Sequence, residues 1–232
     1  MLDGKEMNDK VVYTIKFGNY DDLRDPGVIT PGWDYVCFTN MDIISDVWEV
    51  RKVYPNLPDS LAARYVYINS HLFVPEYSTS LLVGGQVHVF GDVDEFLKAN
   101  GAKLNADFNL LKHPGRNCVY READLVIKEG IDKSGRVEEQ MMRYRKSGLP
   151  ECFGLYAHGI IWRRHTRSVA EHNQLWWKEV MLGSHRDQLS FMYVLWRYGL
   201  VTVNPLSISY LDAWKSKWFN IYHHGTDRVV FK

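Results

Sequence analysis

Val11-Val-Tyr-Thr-Ile-Lys16, then Phe17-Gly-Asn-Tyr-Asp21, then Trp33-Asp-Tyr-Val-Cys-Phe38 is the stretch that decides the fold. The first and last runs are rich in β-branched and aromatic residues, as strands are. Between them Gly18, Asn19, Asp21, Asp22, Pro26, Gly27 and Pro31 supply turn chemistry. Working outward, residues 57–72 are predicted as a helix after the Pro55-Asn-Leu-Pro58 turn, with Asp59 or Ser60 as its cap. Residues 80–90 are predicted as a strand interrupted by Gly84-Gly85, and 94–99 as a short helix. Short strands are expected at 108–111 and 118–120, around His113-Pro-Gly115. Helices are expected near 121–129 and 135–147, a strand at 159–164, and helices at 169–181 and 187–198. Strands alternating with helices imply an α/β sandwich on a largely parallel sheet. No repeat, low-complexity tract or linker divides the chain, so a single domain over 1–232 is expected, with 201–232 as a less patterned C-terminal extension. In such sheets ligands sit beyond the carboxyl ends of the strands, where strand order reverses. The loops after Lys16, Phe38, Val83 and Arg164 are therefore expected to line one cleft.

Composition narrows the function. Lys plus Arg and Asp plus Glu each number 28 in 232 residues, so the basic excess of a nucleic-acid binder is missing and no nucleic-acid partner is expected. Cys37, Cys118 and Cys152 are scattered and form no Cys-x-x-Cys pair, which argues against a zinc ribbon or a disulfide scaffold and for a reducing compartment. The polar start shows no secretory leader, and no apolar run is long enough to span a bilayer. A soluble, cytoplasmic protein without a transmembrane segment is expected. Aromatic residues make up 14%, which suits stacking on sugars and bases but is chiefly core material.

One polar cluster stands out. In Val180-Met-Leu-Gly-Ser-His-Arg-Asp-Gln-Leu-Ser-Phe191, the residues His185, Arg186, Asp187 and Gln188 immediately precede an apolar helical run. A helix start, a guanidinium and a carboxylate in one place can hold an anion and position a base. Alternatively, Ser184 or Asp187 caps the helix and Arg186 is a solvated ion-pair partner. Asp92-Val-Asp94 has the look of a cation-binding pair, yet with Glu95 following it reads as a helix cap. His158, His165 and His172 are seven apart, but a strand and a loop intervene, so they are not expected to bind metal. Of Trp176 and Trp177, one is expected to face inward and the other the acceptor cleft.

Several motifs together resemble one family: residues 11–21, 33–40 and 81–87, His113, Arg116-Asn-Cys-Val-Tyr-Arg-Glu-Ala123, Gln140-Met-Met-Arg-Tyr-Arg-Lys-Ser-Gly148 and Ser184-His-Arg-Asp-Gln-Leu-Ser-Phe191. The chain resembles, over roughly 11–198, the glycosyltransferase-like family that includes plant mucilage-related proteins, bacterial surface-polysaccharide enzymes and glycosyltransferases of large algal viruses. For a viral member the compartment would be the host cytoplasm. The resemblance implies the GT-A fold, a Rossmann-like α/β/α sandwich. It also implies transfer of a sugar from a nucleotide-diphosphate donor, UDP-linked by expectation, to a glycan or glycoprotein acceptor. It assigns the donor to Thr14, Lys16, Phe17, Gly18 and Tyr20, to Asp34, Thr39 and Asn40 at the end of the second strand, to Arg64, and to Val83, Gly84 and Gly85. Asp187 is the implied base, with Gln188, His185, Arg186, His113, Glu122 and Trp177 toward sugar or acceptor. Arg64 as an ordinary helix residue, His113 as a structural histidine and Glu122 in an ion pair with Arg116 or Arg121 remain open.

Related enzymes end the strand at 81–85 with aspartates that hold Mn²⁺ or Mg²⁺ on the donor phosphates; here Gly84 stands in that place and offers only backbone. Three possibilities follow: metal-free catalysis with Arg64, Arg186 or His185 neutralising phosphate, a cation held by other acids such as Asp187, or a catalytically silent domain that binds nucleotide or glycan. A hydrolase ranks last, since neither a Gly-x-Ser-x-Gly elbow nor a histidine-rich helix is present.

Overall fold

The computed structural model describes residues 8–214 and 216–222. From the amino end the chain runs β1 (Lys10–Lys16), β2 (Trp33–Thr39), β3 (Glu49–Lys52), α1 (Asp59–Ile68), α2 (Ser70–Phe73), β4 (Thr79–Val83), β5 (Val87–Val89) and α3 (Val93–Ala99). It continues through β6 (Phe108–Lys112), α4 (Val119–Lys128), α5 (Ser134–Ser147), β7 (Tyr156–Arg164) and α6 (Arg167–Leu182). Last come α7 (Asp187–Tyr198), β8 (Val203–Ser209), α8 (Tyr210–Ala213) and β9 (Phe219–Ile221).

Seven strands form a mostly parallel sheet in the order β3-β2-β1-β4-β7-β6-β8, and β5 pairs with β9 in a small second sheet. Period-two alternation divides the side chains between the two faces. Val11, Tyr13, Ile15, Val36, Phe38 and Leu82 enter one core, under α1, α4, α6 and α7. Val12, Tyr35, Cys37, Leu81 and Val83 enter the other, under α3 and the small sheet. Each such fully buried aliphatic contributes about 1.5–3 kcal/mol, so the β1 pattern alone fixes which face is which. The result is the α/β/α sandwich of the GT-A type.

Helix ends follow from local chemistry. Asp92 accepts the Glu95 N–H at 2.7 Å and caps α3, and Thr166 caps α6 through the Val169 N–H. α5 and α7 stop at left-handed Gly148 and Gly199. Residues 118–120 prove to be the start of α4 rather than a strand. Val119, Tyr120, Ala123 and Val126 are buried at helical spacing, which a three-residue window cannot reveal. The run at 80–90 divides at Gly84-Gly85 into β4 and β5, which belong to different sheets. β8, in the segment expected as an extension, pairs with β6 at the sheet edge, while residues 223–232, with the apolar run at 228–232, lie outside the described residues.

The topology locates a cleft. After β1 the chain moves to β2 and β3 on one side, then returns to β4 on the other, so strand order reverses between β1 and β4. Their carboxyl ends, Lys16 and Val83, open the crevice expected of such a switch point. β7 is antiparallel to both β4 and β6. Its amino end therefore lies at the cleft and Arg164 at the opposite edge, which corrects the expectation for the loop after Arg164.

Candidate active site

A cavity of about 1190 Å³ opens at this edge. Lys16, Phe17, Gly18 and Tyr20 line it after β1, and Arg64 and Tyr67 reach it from α1. Gly84 and Gly85 follow β4, His113–Arg116 follow β6, and Ala157–Gly159 begin β7. Arg186, Asp187 and Gln188 enter from the start of α7, and Tyr210, Leu211 and Trp214 complete the wall. The 16–20 turn and Asp187, 170 residues apart in sequence, share one space.

Asp187 is the most constrained group in it. No side chain caps α7, so the carboxylate is free for other work: it bonds His158 Nδ1 through Oδ2 and lies 3.8 Å from Arg64 Nε through Oδ1. The Tyr67 hydroxyl also bonds to it. The backbone carbonyl of Asp187 accepts from Trp176 Nε1 and Ser190 Oγ, both at 3.0 Å, which anchors the first turn. Burial alone would raise the carboxyl pKa, but His158, Arg64 and Arg186 outweigh it and hold the group well below the usual carboxylate range. Asp187 is thus firmly anionic. His158 packs edge-on against Trp176 and Phe191, and its Nε2 has no protein partner. Gln188 donates to the Tyr156 carbonyl at 3.0 Å, leaving Oε1 without a partner. Both atoms are buried as well as unpartnered, so neither opens directly onto the cavity.

Glu122 is wholly buried and holds two guanidiniums: Arg116 Nε at 2.5 Å from Oε2 and Arg186 Nη2 at 3.1 Å from Oε1. It is an ion-pair anchor behind the wall rather than a ligand for sugar. The pair with Arg116 was foreseen, and the second partner is Arg186 instead of Arg121. His113 Nδ1 accepts the N–H groups of Gly115 and Arg116, which shapes the 113–116 turn, and burial lowers its pKa. Lys16 Nζ donates to the carbonyls of Gly85 and Asp22, binding the end of β1 to that of β4. Burial lowers its pKa to about 8 against the pull of Asp21. Gly18 has φ +60° and its N–H bonds Asn40 Oδ1 at 3.0 Å, while Asn40 also donates to Asp59. The left-handed φ favours glycine there, whereas a Cβ, 2.7 Å from Asp59 Oδ2, would displace only the end of a side chain.

Other expected residues lie elsewhere. Asp34 is the second residue of β2, paired with Val11, so it sits at the end of the sheet away from the cavity and bonds Asn8 and Tyr77. Thr39 is buried and accepts the Met41 N–H, and Val83 is buried in the second core. Thr14 faces a separate narrow niche beside Arg24 and Trp48. Trp176 is the inward one of its pair; Trp177 packs on Tyr65 at 5.1 Å instead of lining the cavity. His185 bonds Arg136 and its backbone N–H bonds Asp132, also off the cavity wall.

The strand end does not suit a divalent cation held in the usual manner. Such ions need several oxygen ligands, carboxylates foremost. Here Gly84 and Gly85 supply none, and the Gly85 carbonyl is taken by the Lys16 ammonium. Among the described residues no group of three or more His, Cys, Asp or Glu could hold a metal. Nor, among the described residues, is any helix long and apolar enough to cross a membrane.

A family model described as TOD1/MUCI70, glycosyltransferase-like domain, matches residues 46–224. No curated protein matches the chain.

Proposed function

This chain belongs to the TOD1/MUCI70 glycosyltransferase-like domain family, and on that premise we propose that it moves a sugar from a UDP-linked donor to a hydroxyl of a glycan or glycoprotein acceptor. The observation that carries the proposal is the single cavity at the β1/β4 switch point, shared by the 16–20 turn, the guanidiniums of Arg64, Arg116 and Arg186, and the His158–Asp187 pair.

In this reading Phe17 and Tyr20 flank the nucleoside and the guanidiniums face the phosphates, whose paired oxygens suit a planar fork. The acceptor oxygen bonds to the anomeric carbon as the bond from that carbon to the diphosphate oxygen breaks, and the electron pair leaves with the diphosphate. The acceptor proton passes to His158 Nε2, which is buried at rest and reaches the acceptor through a small shift of the ring. A carboxylate as strongly acidic as Asp187 is a weak base, because general bases work best with a pKa near the operating pH. Asp187 therefore acts through His158, fixing the ring by its Nδ1 and stabilising the imidazolium. Gly84 favours a second reading, a domain that binds donor without turning it over.

Titration with UDP and a UDP-release assay over a panel of UDP-sugars test this. We expect turnover in the wild type, lowered by about 10²–10⁴ in His158→Ala, with UDP affinity retained. UDP binding without release from any donor would establish the silent domain, and a failure to bind nucleotide would overturn both readings.

A further inference from the structure

The end of β4 lacks carboxylates and is tightly packed. A Cβ on Gly85 would lie 2.5 Å from Asp21 Oδ2 and 3.2 Å from the Ile15 carbonyl oxygen. At Gly84 it would lie 3.3 Å from the Gly159 carbonyl oxygen, tighter than ordinary contact. Lys16 adds an ammonium at this point, on the carbonyls of Gly85 and Asp22. The strand end thus holds an ammonium beside the Asp21 carboxylate.

Elsewhere on the wall, one buried carboxylate serves two guanidiniums. Glu122 has no exposed surface, whereas the side chains of Arg116 and Arg186 are 27% and 31% exposed. The trio carries a net charge of +1 and turns it toward the cavity that both arginines line. Their fixed positions matter, since charge held in place costs no reorganisation when a leaving group departs. Arg64 adds a third guanidinium, 27% exposed, with its Nη1 tied to the Ser60 carbonyl.

Resting on the glycosyltransferase reading, we propose that this site binds the donor diphosphate without a divalent cation: Arg116 and Arg186, held on Glu122, take the phosphate oxygens, and Lys16 fills the strand end where related enzymes place the metal. The two guanidiniums then present a net charge of +1 after Glu122 is counted, in a geometry that pairs N–H groups with phosphate oxygens.

Calorimetric titration of the whole chain with UDP, in EDTA and again in excess Mn²⁺, tests the proposal without any variant. Affinities within about threefold of each other are expected. Arg116→Gln and Arg186→Gln should each weaken UDP by about ten- to a hundredfold, while binding of uridine, which has no phosphate, stays unchanged. Equal loss of UDP and uridine in both variants would mean that the arginines only support the fold, which overturns the assignment. An affinity that Mn²⁺ raises more than about tenfold would also overturn it, leaving the transferase reading intact. Failure of UDP to bind under either condition would remove that reading itself.

Discussion

His172 lies among Phe108, Trp176 and Phe191 with no exposed surface, and neither ring nitrogen has a protein partner. Burial, assisted by the charge of Arg163, lowers its pKa to about 3, and the same causes bring His165 to about 4. Arg163 is itself fully buried, donating to the Ile68 carbonyl and the Tyr13 hydroxyl. The sign follows from proton binding. Between pH 6.5 and about 4 the unfolded chain protonates both histidines while the folded chain keeps them neutral. Stability is fully present above pH 6.5 and falls by roughly 1 kcal/mol per pH unit for each histidine as the medium acidifies. Below the ordinary Asp range Asp187 adds to the loss, because its folded pKa is depressed. Urea denaturation at stepped pH should show this decline, with a smaller slope in His172→Leu. That variant should also be as stable as the parent or more so at neutral pH, since it removes two unpaired buried polar atoms worth about 1 kcal/mol or more. Asp187→Asn is expected to behave oppositely. It leaves His158 without its carboxylate in a buried pair and should cost about 3 kcal/mol, as removing one partner of such a pair does.

At the scale of elements, Asp92 shows how a local rule outweighs a tempting motif. Its side chain caps α3, and Asp94 next along bonds Lys10 and Trp33 Nε1. Asp92→Ala should therefore lower stability by about 1 kcal/mol and leave the response of donor binding to Mn²⁺ unaltered; a changed metal response would return Asp92 to the site. The same local chemistry made much of the fold legible. β1, β2 and α7 follow from β-branched and aromatic richness, a cluster of turn residues and a polar helix start, with α7 at 187–198 as read. Edge strands were not legible: β3 is Glu-Val-Arg-Lys and β8 carries Pro205, so neither has an apolar excess. At the site, the 16–20 turn and Asp187–Gln188 were legible because they adjoin element ends, whereas Arg64, in the middle of α1, came from the family resemblance alone. Asp34 was misplaced by taking the wrong end of β2. His158 was missed because its position depends on β7 running antiparallel, and residue periodicity carries no information on strand direction.

Across the whole molecule, one side of the cavity comes from the last described segment. β8 holds that segment to β6, β9 holds it to β5, and between them Tyr210 accepts from Gln86 Nε2 at 3.3 Å while Trp214 packs edge-on to its ring. The Tyr210 hydroxyl rests on Gly159 so closely that a Cβ there would come within 2.3 Å of it. Gly159 is the β7 residue beside His158, so the C-terminal segment and the proposed base meet across a single glycine. Gly159→Ala must displace Tyr210 and should destabilise by about 1–3 kcal/mol, the usual cost of overpacking. In a Tyr210→Ala background the methyl group has room, so the double variant should be more stable than the sum of the singles by about 0.5–3 kcal/mol. Denaturation of the four proteins of this cycle measures that coupling directly. Strict additivity would mean that Tyr210 does not lie on β7 in solution, and the cavity would then lack the wall that encloses the acceptor beside His158.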